Sequence, residues 1–227
     1  MDEMEQRDRP EAMEERDRAA VAAQLGRPPR AVRGVAHRCR CGLPDVVETA
    51  PRLPGGTPFP TLYYLTCPKA NSAIGTLEAG GVMRTMTARL TTEPALAERY
   101  RAADADYRRC RDAAARADGI EPLPADTQTA GGMPERVKCL HALVAHELAV
   151  PGVNPFGREA LDTLPEWWQG GPCVRPSCND DREQMKMSTE DVAWPGKSGK
   201  SGKSGKSGKS GESGDSGEAG KEEVPWR

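Results

Sequence analysis

Apolar positions alternate or run together in three short stretches near the front of the chain and then switch to helical spacing for the rest of its folded length. Residues 31–39 carry small and β-branched side chains, 45–50 read Asp-Val-Val-Glu-Thr-Ala and 61–66 read Thr-Leu-Tyr-Tyr-Leu-Thr, so each predicts a strand. The ten residues between the last two runs are rich in Gly and Pro, which predicts an antiparallel hairpin with a long connection. A helix over 11–25 precedes the strands, closed by Gly26 with Pro28 and Pro29 beyond it.

After the strands, Pro68 suits the first turn of a helix over 69–79, and Gly80-Gly81 breaks it. Val82, Met86 and Leu90 continue at helical spacing. Pro94 opens a long helix to about Asp118 whose inner seam is Leu96, Tyr100, Ala103, Tyr107, Cys110 and Ala114. Pro134 is expected to open an apolar, buried helix over 135–149, followed by a turn over 151–157 and a last helix over 158–168. The predicted class is α+β: a small antiparallel sheet of about three strands covered by several helices. The expected division is an acidic, flexible N-terminus (1–18), a single domain (19–170) and a disordered Gly/Lys/Ser-rich tail (171–227).

Composition narrows the function classes. The net charge of −2 arises at the ends, with eight acidic against four basic residues in 1–18 and seven basic against five acidic in 196–227. The charges of 19–195 balance, which makes nucleic acid an unlikely partner because a basic face is needed to hold phosphates. The Gly-Lys-Ser repeats lack the earlier glycine of a phosphate-binding loop. The charged N-terminal stretch has no signal-peptide core, and no apolar run of membrane-spanning length occurs. A cytoplasmic protein is expected, with its seven cysteines as reduced thiols or ligands. The termini are the expected surface for any protein partner.

Candidate chemistry gathers in three segments that also hold, or closely neighbour, all three histidines. They are His37-Arg38-Cys39-Arg40-Cys41-Gly42, Thr66-Cys67-Pro68 and Lys138-Cys139-Leu140-His141, with His146 just beyond. Cys39 and Cys41, two apart at a strand end, point to one side, as in half of a zinc or iron–sulfur site. Cys67 precedes a helix, whose free N–H groups would favour a thiolate. On a regular helix Cys139 and His141 point about 200° apart, so both meet one ion only if the first turn is distorted. Cys139 and His146 share a face but lie about 10 Å apart along the axis, which makes His146 a candidate proton carrier. Gly131-Gly132 with the following helix N-terminus would suit an anion. Cys110 reads as core packing.

The run from Cys39 through Gly42, then 56–68, 136–141 and 152–157, resembles the bacterial DUF501 family over roughly 25–168, most closely its actinobacterial members. That resemblance implies no activity. The leading expectation is a metal site, zinc first and an iron–sulfur cluster as the alternative, drawn from Cys39, Cys41, Cys67, Cys139 and His141. The alternatives are a thiol enzyme with Cys67 as nucleophile and His141 or His146 as base, or a non-catalytic interaction module.

Overall fold

The computed structural model describes residues 10–53 and 55–175, so the expectations for 1–9 and for most of the Gly/Lys/Ser tail lie outside the described residues. The class is α+β. Helix α1 (Glu15–Leu25) leads into strands β1 (Val32–Arg38), β2 (Pro44–Thr49) and β3 (Tyr63–Leu65). Then come α2 (Pro68–Ala79), α3 (Val82–Thr92), α4 (Pro94–Ala117), α5 (Leu140–Ala149) and α6 (Pro155–Thr163), with one 3-10 turn at Ala130–Gly132.

The three strands form one antiparallel sheet in the order β1-β2-β3, with Val35 opposite Val47 and Val47 opposite Tyr64. Every residue of β2 is buried, as befits a central strand with α1 and α5 packed against it. The outer edge of β1 is closed by the chain's own N-terminal stretch. Glu11 exchanges two backbone hydrogen bonds with Val35, of 2.9 and 2.8 Å. Gly34 permits this approach, since a Cβ there would sit 2.5 Å from the Glu11 carbonyl oxygen.

Arg38 locks the same stretch in place. Its guanidinium donates to both carboxylate oxygens of Glu11 (2.7 and 2.8 Å) and to both of Asp17 (2.8 and 2.7 Å). Asp17 is buried, and Arg38 holds both carboxyls below their ordinary range. A bidentate pair on a buried carboxylate is much stronger than a surface ion pair. Arg38→Ala would leave Asp17 without its counter-charge, and should lower the unfolding free energy by about 2–3 kcal/mol in urea titrations at neutral pH. The loss should shrink as pH falls through the depressed Asp17 and Glu11 pKa values, because protonation removes the same pair.

The expected seam of α4 is buried at all six positions, from Leu96 to Ala114. It packs under the sheet, where the Leu62 N–H donates to the Tyr107 hydroxyl at 2.6 Å. Three helices differ from expectation. Helix α1 starts at Glu15 and not at 11, because Glu11 pairs with Val35 instead. Helix α5 starts at Leu140 and not near 135, because the backbone just before it is committed elsewhere. The Val137 N–H donates to Thr87 Oγ1 (2.9 Å), the Lys138 N–H to the Gly131 carbonyl (2.7 Å), and the Arg136 carbonyl accepts from the Tyr100 hydroxyl (3.1 Å). Helix α6 spans Pro155–Thr163 and not 158–168. Asn154 caps it by accepting from the Gly157 N–H at 2.9 Å, and Pro155 occupies the first turn.

Candidate metal centre

The late start of α5 decides the site. Cys139 is the residue just before the first turn, with extended backbone angles (φ −151°, ψ 114°). On a continuous helix Cys139 and His141 would diverge. With Cys139 extended, both side chains turn to the same side, and Cys139 Sγ lies 3.7 Å from His141 Nδ1. Helix α2 supplies the third group from its last turn. Glu78 Oε1 lies 3.2 Å from His141 Nδ1 and accepts the Leu140 N–H at 2.6 Å. The Glu78 carboxylate therefore caps the N-terminus of α5, where the helix dipole favours negative charge. The anion expected at this helix end is the protein's own.

The donor atoms of Glu78, Cys139 and His141 all lie within 4.8 Å of one another. The other ring nitrogen of His141, Nε2, lies 3.2 Å from the Asn71 carbonyl oxygen, again on α2. A carbonyl only accepts, so Nε2 carries the hydrogen and donates. In the neutral ring this directs the Nδ1 lone pair toward the sulfur and the carboxylate. All three side chains are partly exposed, so solvent reaches one side of the group.

Without an ion, the group is an ion pair. Hydrogen bonds to Cys139 and then to Glu78 push the His141 imidazole up to about 10, against the opposing effect of burial. Burial works against the Glu78 carboxylate, yet hydrogen bonds from His141 and the Leu140 N–H hold it below its ordinary value.

The other expected site residues lie elsewhere. Among the described residues, this is the one cluster of three or more Cys, His, Asp or Glu side chains with converging donor atoms, and Cys39, Cys41 and Cys67 are not in it. Cys39 is buried at the end of β1, where burial, opposed in part by a backbone contact from Cys41, pushes its thiol up to about 11. His37 Nδ1 sits 2.7 Å from the fully buried Asp45.

Cys67 does precede a helix, and the N–H groups of Ala70 and Lys69 do pull its thiol down. Burial wins, with the side chain 1% exposed and the thiol pushed up to about 12. The expected thiolate nucleophile is therefore a protonated thiol in the core. The expected bases also have other partners. His146 is fully buried, with Nε2 3.1 Å from Asp106 Oδ2 and Nδ1 3.4 Å from Asn154 Nδ2, and its ring stacks on Tyr63. That is a satisfied core histidine, outside the cluster of Glu78, Cys139 and His141. Burial raises Asp106, but His146 and Arg109 outweigh it and bring the carboxyl down to about 2.

Glu78 was invisible in the sequence. It is one more glutamate near the end of a helix, some sixty positions before its partners. No local spacing rule reaches that far. Its role depends on α2 ending beside the first turn of α5.

A family model described as "Protein of unknown function (DUF501)" matches residues 35–162. The chain belongs to the DUF501 family. The DUF501 span takes in all three donors of the cluster, along with Asn71, and ends within the last turn of α6. No curated protein and no solved structure matches the chain. Among the described residues no helix is long and apolar enough to cross a membrane.

Proposed function

We propose that this DUF501 protein binds one divalent metal ion, zinc by preference, through Glu78, Cys139 and His141, and keeps a fourth coordination position open toward solvent. The observation that carries this reading is the spacing of the donors. With zinc–ligand lengths of about 2.0 Å to N or O and about 2.3 Å to S, a tetrahedral ion holds N and O ligands about 3.3 Å apart and N and S ligands about 3.6 Å apart. The corresponding separations are 3.2 and 3.7 Å. The Nε2–H donated to the Asn71 carbonyl supports the reading too, because a metal-bound histidine is normally fixed through its other nitrogen.

The donor set favours zinc. One thiol, one imidazole and one carboxylate form a borderline-soft set, whereas iron–sulfur clusters are held by several cysteines. Three protein ligands with an exposed side belong to the open class of zinc site, in which a water or substrate atom completes the shell, and not to the closed structural class. The reading places the protein in the cytoplasm, where the thiol ligand stays reduced.

The test is metal content followed by cobalt substitution. The full chain, purified without chelator, should carry one zinc per molecule. Cobalt(II) exchange should give a thiolate-to-metal charge-transfer band that Cys139→Ser abolishes and Cys39→Ser leaves unchanged. Substoichiometric metal after equilibrium dialysis, or a cobalt band insensitive to Cys139→Ser, would refute the assignment.

A further inference from the structure

A second pair of sulfur atoms meets at the opposite end of α2, away from the proposed metal ligands. Cys67 is the last residue before α2 and is buried in the main core, and Cys173 packs against that core from the far end of the described chain. Cys173 lines the same groove as Pro68, the residue directly after Cys67, and its thiol lies within interaction range of the Cys67 thiol. The two thiols differ in access, and that difference suggests their roles.

Cys173 is half-buried and lines an open surface groove with Pro68, Lys69, Ser72 and Trp167. Cys67 lies behind it, 1% exposed. The segment carrying Cys173 is fastened in place. Lys69 Nζ donates to the Gly171 carbonyl at 3.0 Å, and Gln24 Nε2 donates to Cys173 Sγ (3.2 Å) and to the Pro44 carbonyl (2.7 Å). Cys173 is thus held beside the start of α2 by contacts to α1, the start of β2 and α2.

We propose that Cys67 and Cys173 form a redox pair in which Cys173 is the thiol attacked by peroxide and Cys67 the thiol that resolves it. In the first step the Cys173 sulfur takes one peroxide oxygen, giving a sulfenic acid and releasing water. In the second, the Cys67 sulfur loses its proton and attacks the sulfenic sulfur. The S–S bond forms, the S–OH bond breaks, and the hydroxide leaves with that proton as water. One peroxide is reduced to two waters, and two thiols are oxidised to one disulfide. Access dictates the order, because an oxidant entering through the groove meets Cys173 first. Closure requires the buried Cys67 thiol to lose its proton, so it speeds up with rising pH.

The disulfide would staple the segment after α6 to the start of α2, the helix that carries Asn71 and Glu78 at its other end. The pair itself does not depend on metal binding.

The test is peroxide titration of the full-length protein, read by thiol counting under denaturing conditions and by non-reducing peptide mapping. The expected result is a fall from seven titratable thiols to five, with one peptide pair linked through Cys67 and Cys173 and full recovery on reduction. In Cys67→Ser, Cys173 should accumulate as a sulfenic acid that dimedone traps. In Cys173→Ser, Cys67 should stay reduced at the same dose. A linkage between Cys39 and Cys41 with Cys67 still reduced would overturn the proposal. So would intermolecular disulfides only, or dimedone labelling of Cys67 in the Cys173→Ser protein. A change in zinc content alone would bear on the metal reading and not on this one.

Discussion

Gly157→Ala should destabilise the fold by about 3 kcal/mol, at the upper end for an overpacking change. The cause is steric. Gly157 lies in the first turns of α6 with ordinary helical angles, but a Cβ there would sit 2.3 Å from the Leu143 carbonyl oxygen and 2.8 Å from Glu147 Cβ. Both neighbours belong to α5, and the oxygen is backbone, so the helices themselves would have to separate. Glu147 has little freedom to give way. Its buried carboxylate accepts the Gly152 and Asn154 N–H groups, each at 2.8 Å, and so holds the turn between the two helices. For a chain of this size the change corresponds to about 6–12 °C in melting temperature. Gly75→Ala is the control. It lies within α2, a Cβ there meets nothing within 4 Å, and alanine should stabilise the helix by up to about 1 kcal/mol. Equal losses for the two variants in thermal melts would contradict the steric account.

The second large effect belongs to the proposed metal site. His141→Ala should weaken zinc binding by more than about a hundredfold, beyond the ten- to hundredfold cost of losing only an orienting partner. The same histidine should make binding pH-dependent. In the metal-free protein the ring is protonated up to about 10, so an incoming ion must displace that proton. Apparent affinity should therefore rise about tenfold per pH unit across the neutral range for this proton alone, with proton release visible by calorimetry in buffers of different ionisation enthalpy. Stability of the metal-free protein follows the opposite course. His141 titrates near 6.5 when unfolded and about 10 when folded, so its contribution is complete below about pH 6.5 and is lost as pH rises through 10. The Glu78 carboxyl is depressed, so its contribution is present above about pH 4.5 and is lost as pH falls. His141→Ala should flatten the alkaline limb of the denaturation curve. An unchanged alkaline limb, or unchanged zinc affinity, would count against the pairing.

Much of the architecture was legible because Gly and Pro punctuate it. Pro68, Gly80-Gly81 and Pro94 mark the bounds of α2, α3 and α4, and the three strands fall where β-branched and aromatic residues cluster. Pro134 misled for a physical reason. It permits a helix start but does not compel one, and the backbone after it bonds to Thr87, Tyr100 and Gly131 instead. Asn154-Pro155 did carry a helix-start signal, a capping side chain followed by proline, although the neighbouring glycines also suit a turn.

Of the site, Cys139 and His141 were legible as a pair on the condition that the first turn is distorted, and the extended backbone at Cys139 meets that condition. Cys67 was misjudged because helix-end electrostatics can be read from sequence, whereas the depth of burial that overrides them cannot. Glu78 required the packing of α2 against α5, which no spacing encodes.

The N-terminal stretch along β1 has a practical consequence. A fragment cut to the family-matched residues, 35–162, would lose Glu11, Asp17 and the first half of β1. The unpaired N–H and C=O groups left behind would form a sticky margin able to recruit another chain's strand. Such a shortened protein should self-associate at concentrations where the longer chain does not, so solubility screens should keep everything from Pro10 onward.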